Sequence, residues 1–278
     1  MLGTLALNPL AVLLALSVSL LITGLLSLSL IQFGKDLSSG VQKFHSRPTS
    51  RLGGIGIFIG ILVGIVYSQQ TFPKDGLVGI SLILAALPVF LGGLVEDMTH
   101  RVGPTVRLLL ALLSATLVFA IFDVGVLRTD IGWIDWLLHF PGMAYALTLL
   151  VVAGFVNAVN IIDGFHGLAS GTVVLMLSTL ALIAFLHDDG LMMRLCLLST
   201  VATLGFAIWN WPFGKIFLGD GGAYLLGLWV VEVGLMLLHR SHDVSPMAPV
   251  LIGIYPLVET LYSMYRRKFL RAHPLNHP

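Results

Sequence analysis

Charge is scarce in this 278-residue chain: Asp, Glu, Lys and Arg make up 10%, against roughly 25% in a typical soluble domain. Fifteen basic residues balance fourteen acidic ones, so the net charge is +1, and no global positive field exists to attract nucleic acid. A single cysteine, Cys196, excludes an intrachain disulfide and any cysteine metal cluster. Absent as well are a Gly-x-x-x-x-Gly-Lys-Ser/Thr loop, a Gly-x-Ser-x-Gly elbow and an HExxH helix, which leaves Walker-type ATPase, serine hydrolase and zincin readings without support. Apolar residues, by contrast, are abundant, at 57% with a mean hydropathy of +0.96. Disorder is excluded by that value. The composition is that of a membrane protein.

Stretches free of Asp, Glu, Lys and Arg cover residues 1–34, 52–73, 76–95, 108–122, 136–162, 164–187 and 195–214. Two more, near 221–238 and 246–265, are each interrupted by one acid, Glu232 and Glu259. Most approach the roughly 20 residues that cross a bilayer as a helix. The expectation is an all-α, polytopic transmembrane helical bundle of about nine spans. With nine, alternate loops divide the cations unevenly: Lys35, Lys43, Arg47, Arg51, Arg101, Arg107, Lys215, Arg266, Arg267, Lys268 and Arg271 share one side, and Lys74, Arg128, Arg194 and Arg240 the other. Positive residues favour the cytoplasmic side, so the N-terminus is expected outside and the C-terminus in the cytoplasm. The opening segment has no basic stretch before its apolar run and reads as a first span rather than a cleaved signal peptide. Neither internal repeat nor low-complexity tail is evident, so residues 1–278 are expected to form one integral-membrane domain.

The cytoplasmic loops hold four dense polar clusters, KFHSRPTSRLGG (43–54), GLVEDMTHRVGPTVR (93–107), NAVNIIDGFHG (157–167) and NWPFGKIFLGDGGA (210–223). The other side shows scattered charges without a pattern. Glu96 and Asp97 are adjacent carboxylates at a helix end, and two like charges there raise one another's pKa unless a cation intervenes; a solvated acid pair is the bland alternative. Arg107 re-enters the membrane where it holds a phosphate or simply snorkels. Asn157, Asn160 and Asp163, spaced i, i+3, i+6, share a face of a continuing helix, either lining a polar cavity or bonding helix to helix. Asp220, followed by Gly221 and Gly222, has the position of an N-cap whose neighbouring N–H groups face an anion. Gly53 and Gly54 suggest a formed loop, although Lys43, His45, Arg47 and Arg51 are equally a topology signal. Oxygen donors from Asp and Asn, without paired histidines, suit a hard cation that keeps waters and binds phosphate oxygens.

In this order, KxHxxPTSRLGG, GLVEDMTHRVGPTVRL, NAVNIIDGFHGLASG and NWPFGKIFLGDGGAYLLG resemble the polyprenyl-phosphate N-acetylhexosamine-1-phosphate transferase family from Lys43 to the C-terminus. KFHSRPTSR brings the chain nearer the sugar-phosphate branch, which initiates O-antigen, enterobacterial common antigen and teichoic acid synthesis, than the peptidoglycan translocase. The resemblance implies a transferase in the bacterial inner membrane. At the cytoplasmic face it would move a sugar 1-phosphate from a UDP-N-acetylhexosamine to undecaprenyl phosphate, releasing UMP. It further implies Mg²⁺, with Mn²⁺ as a substitute, and a homodimer as a further partner state. Asp220 and Asn160 would ligate the metal, and Glu96, Asp97 and Asp163 would be catalytic. Lys43, His45, Arg51, Arg107, Asn157, His166 and Lys215 would touch substrate.

Departures from the family pattern are Glu96 for the first Asp, His166 for a second acid, Gly222 for a serine, and an end at RRKFLRAHPLNHP, where the family continues into a histidine-rich loop and further spans. Two rival readings follow from the residues: a secondary transporter, which also uses intramembrane acids but near the midplane and with repeat symmetry, and a truncated, inactive binding homologue.

Overall fold

A computed structural model describes residues 6–28, 35–36 and 49–269. Lys43, His45 and Arg47 lie outside the described residues. The chain runs α1 (Pro9–Leu28), β1 (Lys35–Asp36), β2 (Thr49–Ser50), α2 (Gly53–Ser68), α3 (Pro73–Thr99), α4 (Pro104–Phe122), α5 (Gly132–Leu138), α6 (Pro141–Ile162), α7 (Leu168–Leu186), α8 (Gly190–Asn210), α9 (Gly219–Arg240), α10 (Met247–Ile252) and α11 (Ile254–Phe269). The two short strands pair antiparallel, Lys35 opposite Ser50. The protein is an all-α, multi-pass membrane protein, and among the described residues seven helices (α1, α3, α4, α6, α7, α8 and α9) are long and apolar enough to span a bilayer.

The other two expected spans take a different form. α2 is apolar but only 16 residues long, about 24 Å of helix at 1.5 Å per residue against a hydrocarbon core of about 30 Å. The ninth stretch is divided at Gly253 into α10 and α11, and the second piece has one apolar and one polar face. Hydropathy alone registers neither the helix shortening nor the break.

Local chemistry sets the boundaries. Pro73 and Pro104 open α3 and α4, where the missing N–H costs nothing. Left-handed His100 and Asp123 close the same two helices. Pro88 sits inside α3, and the neighbouring Val89 amide donates to Ser114 Oγ of α4 at 3.3 Å, a tertiary substitute where proline disturbs the ladder.

α9 is the centre of the bundle. Every residue from Gly219 to Leu237 is buried, and α2, α3, α6 and α7 pack around it. Two glycine contacts set its distance from its neighbours: a Cβ on Gly54 would fall 2.5 Å from the Gly222 backbone, and one on Gly93 would fall 2.5 Å from the Gly221 nitrogen. Small residues are what permit such approach in apolar surroundings.

Three of the arginines scattered at the far end, Arg128, Arg194 and Arg240, have specific partners. Arg194 grips Asp75 through Nε at 2.5 Å and Nη2 at 2.9 Å, covers the Phe72 ring at 3.9 Å, and belongs to α8 rather than to the loop before it. Arg240 bonds Asp189 at 2.5 Å, and Asp189 also caps α8 by accepting from the Met192 amide. Arg128 donates to the carbonyls of His242 and Val244. These contacts tie the ends of α3, α8 and α9 together. Glu232 is fully buried in α9, and neither carboxylate oxygen has a hydrogen-bond partner among the described residues.

Candidate functional site

At the opposite end of the bundle the expected cluster is assembled from four chain segments. The link between them is the loop from 211 to 218. Its Phe217 amide donates to the Ser50 carbonyl at 2.8 Å, and the amides of Gly53 and Gly54 donate back to the carbonyls of Phe217 and Leu218, each at 3.0 Å. Gly53 and Gly54 are therefore the first turn of α2 held to this loop, where the sequence suggested a loop of their own. Asn210 fastens the other side: its Oδ1 accepts from the Gly167 amide at 2.6 Å, and its Nδ2 donates to the Ile216 carbonyl at 2.8 Å. The turn after α6, the end of α8, the start of α2 and the start of α9 are thereby fixed to one another.

Asp220 lies at the focus. Its Oδ1 accepts from Arg51 Nη2 at 3.3 Å and from Asn160 Nδ2 at 3.2 Å. Its Oδ2 is paired with Arg107 Nη1, and the Tyr224 hydroxyl lies near both Asp220 and Arg107. A buried carboxylate between two guanidinium groups forms the strong, charge-assisted type of contact. Arg107 is thus a member of the cluster, which decides against simple snorkelling. Its Nε is buried without a hydrogen-bond partner among the described residues.

Asp97 occupies the place where the sequence suggested an external anion. Its Oδ1 accepts from the Asp220 amide at 2.8 Å and its Oδ2 from the Gly221 amide at 2.9 Å, while Arg51 Nε stands 3.5 Å from Oδ1. The N–H groups at the start of α9 are satisfied by this protein carboxylate, and Asp220 is inside the first turn rather than the capping residue. Glu96, the adjacent acid, turns away and accepts from the Val102 amide at 2.7 Å. The two carboxylates of the pair therefore have separate surroundings, and their direct repulsion, the basis of the sequence argument, is relieved.

Asp163 stands one residue beyond the end of α6. Burial of its carboxylate pushes its pKa well above the ordinary 3.8; Arg51 opposes this, and the nearby charges of Asp97 and Asp220 reinforce it. Three acids thus share one region with two arginines, Arg51 and Arg107. The oxygen donors Asp163, Asp220 and Asn160 Oδ1 match Mg²⁺, which takes one or two carboxylates and fills its remaining positions with water and substrate phosphate. A group of three His, Cys, Asp or Glu side chains able to hold a metal is absent among the described residues.

The remaining expected residues are more peripheral. Asn157 donates to the Ala153 carbonyl of its own helix at 2.7 Å. His166 stacks on Phe217 with ring centres 5.4 Å apart and lines an open groove of about 690 Å³ with Phe165, Ser170 and Trp211. Lys215 is exposed, 5.1 Å above the Trp209 ring. Asn210 and Tyr224 were not singled out by sequence reasoning. Asn210 opens the fourth motif, and Tyr224 lies one turn beyond Asp220, so spacing offered a signal for each. A separate apolar cavity of about 520 Å³, lined by residues such as Val151, Phe155, Val231 and Leu235, lies away from this cluster and has no part in it.

Residues 79–238 match the model of glycosyl transferase family 4. The chain is 31% identical over 268 residues to the "Probable undecaprenyl-phosphate N-acetylglucosaminyl 1-phosphate transferase" of Bacillus subtilis (strain 168), covering 93% of this chain and 71% of that protein. It is 27% identical to the "Undecaprenyl-phosphate alpha-N-acetylglucosaminyl 1-phosphate transferase" of Salmonella typhi, covering 85% and 65%. It is 28% identical to the "Phospho-N-acetylmuramoyl-pentapeptide-transferase" of Geobacillus kaustophilus (strain HTA426), covering 96% and 88%. The chain spans about two thirds of the length of the first two of these relatives.

Proposed function

We propose that this chain, which belongs to glycosyl transferase family 4, transfers an N-acetylhexosamine 1-phosphate from a UDP-sugar to undecaprenyl phosphate, at the cytoplasmic face of the bacterial inner membrane. The observation that carries the reading is the Asp220 carboxylate held among Arg51, Arg107 and Asn160 at the end of the bundle that gathers the polar motifs. The distribution of Lys and Arg supports placing that end in the cytoplasm.

In the proposed reaction a non-bridging oxygen of the lipid phosphate attacks the sugar-bearing phosphorus of the donor. The new bond makes a pyrophosphate, and the bond from that phosphorus to the bridging oxygen breaks, UMP leaving with the electron pair. Phosphoryl transfer of this kind needs in-line positioning and neutralisation of spreading charge more than covalent help. A phosphate monoester has a second pKa of about 6 and is already a competent oxygen nucleophile at neutral pH. Mg²⁺ held by Asp220 and Asn160, with Asp163 beside them, would neutralise phosphate oxygens on the donor. Arg51 and Arg107 present guanidinium forks that fit phosphate oxygens two at a time. Glu96, at the outer side of the cluster, and Asp163 are the acids placed to orient the lipid phosphate and the donor. Lys43, His45, His166, Asn157 and Lys215 are assigned to the substrate periphery.

The test uses purified protein with undecaprenyl phosphate, Mg²⁺ and a panel of UDP-N-acetylhexosamines, reading UMP release with and without chelator. Chelator-sensitive release is expected, and Asp220→Ala should abolish it. Release that is indifferent to chelator, or full activity in Asp220→Ala, would remove the metal assignment.

A further inference from the structure

We propose that Asp97 is a positioning residue: its carboxylate is the N-terminal cap of α9, it fixes the direction in which Asp220 projects, and it does not touch the reacting phosphates. This inference rests on the transferase reading above and goes beyond it by separating the roles of the adjacent acids.

A helix start leaves its first N–H groups without intrahelical partners, usually answered by the side chain just before the helix. Here the residue before α9 is Leu218, which offers no side-chain cap. The acceptor comes instead from the end of α3, 123 residues away in sequence, and meets both the Asp220 and Gly221 amides, one with each oxygen. A carboxylate in that place is further favoured by the positive end of the helix dipole. With Arg51 Nε alongside and the residue 1% exposed, Asp97 is committed to protein partners. The backbone is shaped around it: Gly219 has φ +77, and a Cβ there would lie 2.5 Å from Asp97 Oδ2 and 2.0 Å from the Arg51 carbonyl oxygen. One turn earlier on α3, Gly93 lets that helix touch the Gly221 backbone. Asp220 follows the first residue of α9, so any rotation of that turn would carry its carboxylate away from Arg107 and Asn160.

The experiment compares the full chain with Asp97→Asn and Gly219→Ala by amide hydrogen exchange, by the Mg²⁺ dependence of thermal unfolding, and by UMP release. In the wild type the amides of Asp220 and Gly221 should be strongly protected. In Asp97→Asn they should exchange about tenfold faster or more. Half-saturating Mg²⁺, read by unfolding and by turnover, should rise about tenfold, as when a residue orienting a metal ligand is lost. The KM for the lipid should stay unchanged, and saturating Mg²⁺ should return most of the turnover; a general loss of folded protein would not move the Mg²⁺ midpoint. Gly219→Ala, with the carboxylate intact, should give the same signature. The proposal is overturned if Asp97→Asn abolishes turnover at every Mg²⁺ concentration while protection and Mg²⁺ binding stay as in the wild type. It is also overturned if the wild-type amides exchange freely, a result that does not depend on either variant folding. Should the wild type release no UMP from any donor, the transferase reading fails, and the exchange data still decide the role of Asp97.

Discussion

Gly93 and Gly221 stand backbone to backbone, so close that a Cβ on the first would fall 2.5 Å from the nitrogen of the second. That contact sets the distance between α3, which carries Glu96 and Asp97, and α9, which carries Asp220. Gly93→Ala should therefore lower stability by about 1–3 kcal/mol, the usual cost of overpacking, and should reduce turnover more than stability alone explains. Gly154→Ala is the control: nothing lies within 4 Å of its Cβ position among the described residues, and inside α6 alanine should be favoured by about 0.5–1 kcal/mol. Thermal unfolding and UMP release on the two variants check both expectations.

Arg107 is paired with Asp220, and the Tyr224 hydroxyl lies nearby. Removing a hydrogen-bonding partner of a charged group costs about 1.5–3 kcal/mol, so Arg107→Ala should lower kcat/KM for the UDP-sugar by about ten- to a hundredfold. Arg107→Lys should recover only part of this, because an ammonium lacks the planar fork. Wild-type kinetics in Arg107→Ala would return the residue to a snorkelling role.

Burial holds the Asp163 pKa well above its ordinary 3.8, which fixes the sign of a pH effect. Between that ordinary value and the raised native one the folded chain binds more protons than the unfolded chain, so metal-free stability falls as pH rises through the interval and levels off above it. Asp163→Asn should remove this decline, unfolding at a higher temperature than the wild type at neutral pH without Mg²⁺ and losing that advantage in acid. Unfolding scans across pH in chelator test this; a variant less stable than wild type at neutral pH would contradict it.

Arg194 and Asp75 form a buried pair at the opposite end, with side chains 9% and 1% exposed. Arg194→Met leaves Asp75 without its cation and should destabilise by about 3–5 kcal/mol, whereas Arg194→Met with Asp75→Asn should recover much of that. A double-mutant cycle by thermal unfolding measures the coupling.

The parts of this architecture that hydropathy controls were legible in the sequence, and the parts that tertiary contact controls were not. Long apolar runs gave α1, α3, α4 and α6 to α9, but the shortness of α2 and the break at Gly253 depend on local backbone rather than on mean hydropathy. Polar motifs identified Arg51, Asp97, Arg107, Asn160, Asp163 and Asp220, which do meet at one end of the bundle. What spacing could not reveal was direction. Adjacent residues on a helix point about 100° apart, so Glu96 and Asp97 serve different amides, and Asp97 takes the helix start that the local motif GDGG seemed to offer to a ligand. Likewise the cations at the far end looked patternless because Arg194 and Asp75 are 119 residues apart.

The burial of α9 has a consequence for the membrane in which the protein works. A helix whose residues from 219 to 237 are all enclosed presents no side to lipid, so bilayer thickness has little direct purchase on it. Hydrophobic mismatch acts on helices through their lipid-facing surface, and here it falls on the outer ring while the glycine contacts of Gly54 and Gly93 hold α9 in register. The depth of the Asp220 carboxylate is thus indexed to the protein and not to the surrounding acyl chains, keeping one fixed height for the reacting groups in membranes of differing thickness.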